Sequence, residues 1–455
     1  MIKKEYEIFK INNRVFMTAI SNGKTVRLLE PLTEERLSTF KELGFFDIKD
    51  RKSIEKPKVI TMSINITNQC NLNCKYCFNK NKTPNNLSYE QCVGFIDLII
   101  NKHIDSNRFI VDLSGSGEPL LALDLVIKIA KYCYAKSNEI NKEVLVTLAT
   151  NGVLLTSDVA KTLKDNLVLY GISIDGLKKD NANRIDYYGV NCYDKVITNI
   201  KSIDNLDYVG AAVTLSNGKQ NIIKIVKKLS KYFETISIKP VRNNFEFGIN
   251  ENNIEKIEYN YYKFTRFLIK ETLYKCNTKY LKSILNGEDY FGRYIYRILT
   301  NQRILTRCDI GYSRYSLGID GKIYGCPALV GIKNVDWQSI LSVERSIECE
   351  KCYIRFICGG ECMANSYNIA NNFTTNDVVM CRFKKYLFKL GHYLVSLIKE
   401  NKQIYNEILE FCNIKKSRNN INETIKNKVT SEKVTFMNAK MQFDEQKQLR
   451  SKHIK

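Results

Sequence analysis

Apolar and polar positions alternate along the first thirty residues in the two-residue rhythm of strands. Residues 5–11 (YEIFKIN), 15–20 (VFMTAI) and 25–30 (TVRLLE) read as three strands, with Asn12-Asn13 and Asn22-Gly23 at the tight turns between them. A three-stranded meander follows. Thr33 is placed to cap a helix whose apolar face is Leu37, Phe40 and Leu43, with Gly44 as its stop signal. Residues 1–47 are thus expected to form a small α+β element, and the charged stretch 48–60 a linker.

From residue 61 the rhythm changes to strands alternating with helix-period segments. Strand-like runs at 61–66, 108–113, 144–149, 168–174, 207–215 and 235–240 are separated by helical patterns near 89–103, 121–136, 157–164, 192–203 and 219–230. Parallel strands need such crossovers, so residues 61–245 predict an α/β fold. Six strands cannot close an eight-stranded barrel, which leaves an open, partial (β/α)6 barrel with its chemistry at the C-terminal strand ends. Residues 246–303 read as bridging helices rich in Tyr and Phe. The stretch 304–390 has little periodicity but many cysteines, 391–412 is again helical, and 413–455 is a polar, Asn/Lys-rich tail. No internal repeat is present.

Composition narrows the chemistry. The chain has 15 cysteines, no run of about 18 apolar residues, and an N-terminus, MIKKEYEIFK, without the charged-then-apolar pattern of a secretion signal. A cytoplasmic protein is expected, where thiols stay reduced and metal binding accounts best for so many sulfurs. The net charge of +22 is spread along the whole chain rather than gathered into a stripe. That argues against a nucleic-acid partner and suits an acidic peptide.

Cys70, Cys74 and Cys77 form a C-x3-C-x2-C array on the loop after the first barrel strand. This spacing arises by chance in about 1–2% of chains with this cysteine content. Three thiolates hold three irons of a [4Fe–4S] cube and leave the fourth iron open to the amino and carboxylate groups of S-adenosylmethionine (SAM). A second field holds Cys308, Cys326, Cys349, Cys352, Cys358, Cys362 and Cys381, with a C-x2-C-x5-C-x3-C run at its centre. Coincidence is excluded there, while iron–sulfur clusters and zinc both fit the spacing. Cys92, Cys133, Cys192, Cys276 and Cys412 fit no motif and are expected to be buried small hydrophobes.

The first array resembles that of the radical SAM superfamily, and the resemblance continues at successive strand ends. Tyr76 holds the aromatic position before the third cysteine, which the resemblance places near the adenine. Gly115-Ser116-Gly117-Glu118-Pro119 is similar to the family's GGEP element for the SAM ammonium, with Ser116 in place of its first glycine. Thr150-Asn151-Gly152, Ser173-Ile174-Asp175-Gly176 and Arg184 are similar to its ribose and carboxylate elements. The second field resembles the SPASM domain, whose likeness implies two auxiliary [4Fe–4S] clusters. Cys308, Cys326 and Cys362 would hold one, and Cys349, Cys352, Cys358 and Cys381 the other. Seven cysteines leave the first of these one ligand short, so either Cys276 fills the position or the site stays open.

The resemblance implies an oxidoreductase that acts on a precursor peptide or protein and draws electrons from a donor such as flavodoxin or ferredoxin. Sulfatase-maturing enzymes carry an Asp base directly after the cysteine that ends G-x4-C, where this chain has Pro327. Proline cannot accept a proton. Maturases that crosslink ribosomally made peptides, of the thioether or sactipeptide type, match better, and the N-terminal meander resembles in part their leader-binding element. No catalytic side chain is assigned. Apolar barrel walls are expected to keep other hydrogen donors from a substrate radical. The alternative of another class is a non-catalytic iron–sulfur binding or sensing protein.

Overall fold

The structure, a computed structural model, describes residues 4–47, 56–80, 82–216, 218, 220–241, 246–285, 289–304, 306, 308–337 and 346–418. Residues 48–55 of the expected linker and the expected tail beyond Arg418 lie outside them. Strands β1 (Tyr6–Ile11), β2 (Arg14–Ala19) and β3 (Thr25–Leu28) form an antiparallel sheet in the order β1-β2-β3. The turns fall as expected: Asn12 takes φ 50° and Gly23 φ 72°, left-handed values that Asn and Gly reach most easily. Helix α1 (Glu34–Glu42) starts at Thr33, whose side chain accepts a hydrogen bond from the Arg36 N–H. Leu43 does not join the apolar face: it caps the helix and is 76% exposed. Its expected place is taken by Phe45 and Phe46, which the turn at Gly44 folds back beside Met17, Ala19 and Phe40.

The element is docked rather than tethered. Phe9 packs edge-on against Phe388 at 5.6 Å between ring centroids and stacks on Phe16 at 5.2 Å, while Arg14 and Arg27 both pair with Glu400. Replacing a phenylalanine buried like Phe388 by Ala costs about 3–5 kcal/mol.

The expected alternation then appears in full: β4 (Val59–Ile64), α2 (Tyr89–Lys102), β5 (Arg108–Asp112), α3 (Leu123–Ile140), β6 (Glu143–Thr150), α4 (Ser157–Asp165), β7 (Val168–Ser173), α5 (Tyr193–Ser202), β8 (Gly210–Leu215), α6 (Ile222–Leu229) and β9 (Thr235–Pro240). The six strands pair in parallel in sequence order. Alternate residues such as Ile60, Met62, Ile64, Phe109, Val111, Val146 and Leu148 face the helices and are buried in one core. Helices α7 (Ile254–Ile269), α8 (Lys279–Leu285) and α9 (Gly292–Leu299) follow, with a π turn at Lys270–Tyr274 after α7.

The cysteine-rich region contributes more to the sheet than its pattern suggested. Strand β10 (Arg314–Leu317) pairs in parallel with β4, and β11 (Ile323–Tyr324) pairs antiparallel with β10, so the large sheet has eight strands in the order β11-β10-β4-β5-β6-β7-β8-β9. The short helices α10 (Ile347–Glu350), α11 (Arg355–Cys358) and α12 (Met363–Ala370) precede two long ones, α13 (Val378–Glu400) and α14 (Lys402–Arg418). Helix α13 runs through the domain boundary expected at residue 390. No helix among the described residues is long and apolar enough to cross a membrane.

Candidate active site

Strand β4 delivers its chain directly into the loop of Cys70, Cys74 and Cys77. Three neighbouring loops stitch that loop in place: Asn68 N–H donates to the Asn85 carbonyl at 3.0 Å, Asn73 N–H to Ile185 at 2.7 Å, and Glu118 N–H to the Gln69 carbonyl at 2.7 Å. The three thiols are half-buried and each of Cys70 and Cys74 feels the charge of Cys77. Burial pushes the Cys74 thiol up to about 11, against the pull of Arg184. Cys70 is likewise raised by burial, while its sulfur accepts the Leu72 N–H at 3.4 Å, a contact that favours thiolate.

Gly115 and Gly117 are dictated by close approach. A Cβ on Gly115 would lie 1.8 Å from Asn65 Oδ1, and one on Gly117 would lie 2.2 Å from the Gln69 carbonyl oxygen. Ser116 is accommodated between them, its hydroxyl bonded to Asn68 Oδ1 and to the Thr67 carbonyl. Pro119 opens a 3-10 turn behind it. The Glu118 carboxylate is buried and turned onto the end of β6, accepting from Thr150 Oγ1 at 2.7 Å, the Asn151 N–H at 2.7 Å and the Leu120 N–H at 3.2 Å. Burial lifts its pKa above the usual carboxylate range, opposed by these three donors. Asn151 in turn donates to Asn71 Oδ1 at 2.6 Å, so β6 is tied to the cysteine loop.

Tyr76, Asp175 and Arg184 form a buried group that the motif spacing did not foretell. The Tyr76 hydroxyl donates to Asp175 Oδ2 and accepts from Arg184 Nη1 at 3.1 Å, and the Thr214 N–H donates to Asp175 Oδ1 at 2.9 Å. Burial raises the Asp175 pKa, with Arg184 opposing. Ser173 ends β7 just before it. Asn71, which accepts from Asn151, was missed as a member of the site; Asn-rich loops offer a signal for such links, but only the fold supplies their partners.

The second field separates into two sets. Cys308 feels Cys326 and Cys362, around a small apolar cluster of Ile310, Leu329 and Ala364. Cys352 feels Cys358 and Cys349, and Cys381, on the first turn of α13, feels the same two. Burial pushes Cys308 and Cys381 up to about 12 and Cys326 up to about 11. Cys92, Cys133, Cys192 and Cys412 are buried as expected, but Cys276 is exposed, two residues past the π turn at φ 50°.

The face of the sheet away from the helices corrects the expectation of apolar walls. In register, Ser316, Ser63, Asp112 and Thr147 form one row, Ala149, Gly171, Gly210 and Thr235 another, and Ser173, Ala212 and Ser237 a third. Small and hydroxylated side chains are frequent in these rows, although Leu169 continues the first beyond Thr147 and Ile110 and Leu145 share the face, so the wall is mixed rather than apolar.

The donor set fits an iron–sulfur cluster and a polar cosubstrate. Sulfurs converge on one loop, and the Asn65 Oδ1 and Arg184 Nε atoms beside it are buried without hydrogen-bond partners, as groups awaiting a polar ligand would be. Among the described residues no three His, Cys, Asp or Glu side chains form a group tight enough for a single metal ion.

A parallel partial barrel with three cysteines on its first loop is the arrangement of enzymes that hold SAM beside an iron–sulfur cluster. Residues 64–238 match the Radical SAM superfamily, so the chain carries a radical SAM domain and its cofactors are a [4Fe–4S] cluster and SAM. Among relatives, it is 35% identical over 121 residues to an uncharacterized protein of Methanocaldococcus jannaschii, covering 27% of this chain and 40% of that one. It is 23% identical over 364 residues to a cysteine-type anaerobic sulfatase-maturating enzyme of Clostridium novyi, covering 71% of this chain and 92% of that one. Its fold is similar to that of native anSMEcpe with bound AdoMet, at 20% identity and a TM-score of 0.61 over 77% of this chain and 100% of that one.

Proposed function

We propose that this chain is a peptide maturase that abstracts hydrogen from a residue of a ribosomally made peptide and closes a thioether or other crosslink. The observation that carries this reading is the division of ten motif cysteines into sets of three, three and four, with Pro327 directly after Cys326. When bound at Cys70, Cys74 and Cys77, the cluster and SAM supply hydrogen-atom abstraction from an unactivated carbon, with SAM leaving as methionine and 5′-deoxyadenosine. Gly115, Ser116 and Gly117 bring backbone close to the site, and Asn151, Ser173 and Arg184 offer the polar groups for SAM, with Tyr76 against its adenine and Asp175 holding Tyr76 in place. Glu118 fixes β6 so that Asn151 stays in place. Cys308, Cys326 and Cys362 would hold one auxiliary cluster with room for a substrate thiol, and Cys349, Cys352, Cys358 and Cys381 a complete second one. Either cluster would supply an acceptor for the one electron released when the crosslink forms.

Pro327 starts a 3-10 turn and offers no proton acceptor where a formylglycine-forming enzyme needs a base. The outer strand β3 suits a leader peptide, which would add to the sheet as a fourth strand. Formylglycine formation is the second reading, favoured by the likeness to sulfatase-maturating enzymes over most of the chain. The deciding experiment incubates reconstituted enzyme, SAM and reductant with a short cysteine-rich peptide encoded beside it, and separately with a sulfatase-derived cysteine peptide. Loss of two hydrogens from the first supports crosslinking. Conversion of the cysteine side chain of the second to an aldehyde, with sulfur lost, oxygen gained from water and two hydrogens removed, the first peptide being untouched, overturns it. If no 5′-deoxyadenosine forms at all, the chain is a binding protein.

A further inference from the structure

The outer surface of the first cysteine loop carries a patch that the fold itself does not require. Phe78, next to Cys77, is 59% exposed, and Tyr187, Tyr188 and Val190 in the loop after Arg184 are 57%, 92% and 61% exposed. The two loops make one surface, since the Asn73 N–H donates to Ile185 and the Lys75 N–H donates to the Asn183 carbonyl at 3.0 Å. Four large side chains exposed on two joined loops beside the cysteines mark a contact surface rather than a core.

Cations rim the patch. Lys75 is exposed, Lys80 Nζ donates to the Lys75 carbonyl at 3.1 Å, and Lys82 Nζ donates to the Leu72 carbonyl at 2.7 Å while lying 5.9 Å from the Tyr187 ring centroid. The acid in these loops, Asp186, is engaged within its own turn, accepting the Tyr188 and Val190 N–H groups at 2.9 and 2.8 Å. The outward-facing charge is therefore positive, around an aromatic centre.

We infer that this patch docks a small electron-carrier protein of acidic surface, of the flavodoxin or ferredoxin kind. The inference rests on the proposed function, which needs an electron from outside at each SAM cleavage. The carrier is oxidised by one electron, the cluster held at Cys70, Cys74 and Cys77 is reduced by one, and no bond or proton moves. Adjacency and charge select this occupant: Phe78 directly follows Cys77 and lysines surround it, so an acidic carrier seated there stands next to the ligands of the group it must reduce. Lysines steer an acidic partner and set orientation, and the aromatic centre supplies the buried contact.

The test uses full-length reconstituted enzyme, a reduced flavodoxin and, in parallel, dithionite, a small reductant that needs no docking. Lys75→Glu/Lys80→Glu and, separately, Phe78→Ser/Tyr188→Ser should lower the ratio of flavodoxin-driven to dithionite-driven 5′-deoxyadenosine formation about tenfold, and the first variant should flatten its salt dependence. Calorimetry should show flavodoxin affinity falling in step, a readout independent of turnover. An unchanged ratio overturns the patch, whether both rates hold or both fall, and so does loss of precursor modification at a constant ratio. Absence of 5′-deoxyadenosine from the unaltered enzyme with dithionite would instead strike the proposed function, and the calorimetric comparison would still decide whether the patch binds the carrier.

Discussion

Lys384 and Glu361 form an ion pair sealed from water, their side chains 1% and 3% exposed. Lys384 lies on α13 one turn beyond Cys381, and Glu361 stands between Cys358 and Cys362, accepting the Cys362 N–H at 2.7 Å. The pair therefore joins both C-terminal cysteine sets to one helix.

Lys384→Met should cost about 3–5 kcal/mol, because it leaves an uncompensated buried carboxylate. Adding Glu361→Gln to that variant should recover much of the loss. Anaerobic denaturation of the single and double variants measures both, and additive losses would show that the two residues act separately.

Three clusters predict about twelve irons per chain after anaerobic reconstitution. Replacing Cys70, Cys74 and Cys77 together by Ala should leave about eight and abolish SAM cleavage. Iron near four with bound zinc would remove the auxiliary clusters from the account.

Gly117→Ala places a methyl group where the Gln69 and Thr67 carbonyl oxygens stand, at 2.2 and 2.6 Å. The cysteine loop must then move. The expected variant loses the iron of the first set and retains that of the other two, as read by iron analysis and electron paramagnetic resonance.

Cys276→Ala should change neither iron content nor peptide modification, since the thiol is exposed and lies two residues past the π turn. Loss of one cluster would make Cys276 the missing ligand and close the position proposed for a substrate thiol.

Val26→Pro and Arg27→Pro distinguish the leader-binding role of β3. Backbone N–H groups of successive strand residues point to opposite sides, so one of the two substitutions removes an outward donor and the other an N–H facing β2. The outward one should weaken precursor binding with little loss of stability, as measured by peptide titration and thermal unfolding. Equal binding by both variants and the unaltered enzyme would reduce the sheet to a structural cap.

The barrel was legible because each of its parallel strands is a short apolar run between helical periods, and the cysteines because their spacing is so improbable. What remained hidden depended on residues far apart in the chain. Nothing in RYSL at 314–317 distinguishes a sheet strand from a loop until β4 offers it a ladder. Tyr76 and Arg184 each matched a motif alone, yet their meeting at Asp175 requires β7 to lie beside β8 and the cysteine loop. Leu43 misled because helical period cannot reveal that a glycine turn will bring two phenylalanines back over the same core. Likewise, alternation marked which residues were inward or outward, but the character of the inner face emerged only from register.

The pairing of β10 with β4 sets the order in which this protein can be completed on the ribosome. Strand β4 is among the first parts of the barrel to be made, but its outer neighbour is synthesised only after the remaining barrel strands and the bridging helices. Until then its open edge invites pairing with other chains. The nascent chain thus carries an unfinished sheet through much of its synthesis, and lowering temperature or supplying a chaperone during expression should raise the yield of folded protein.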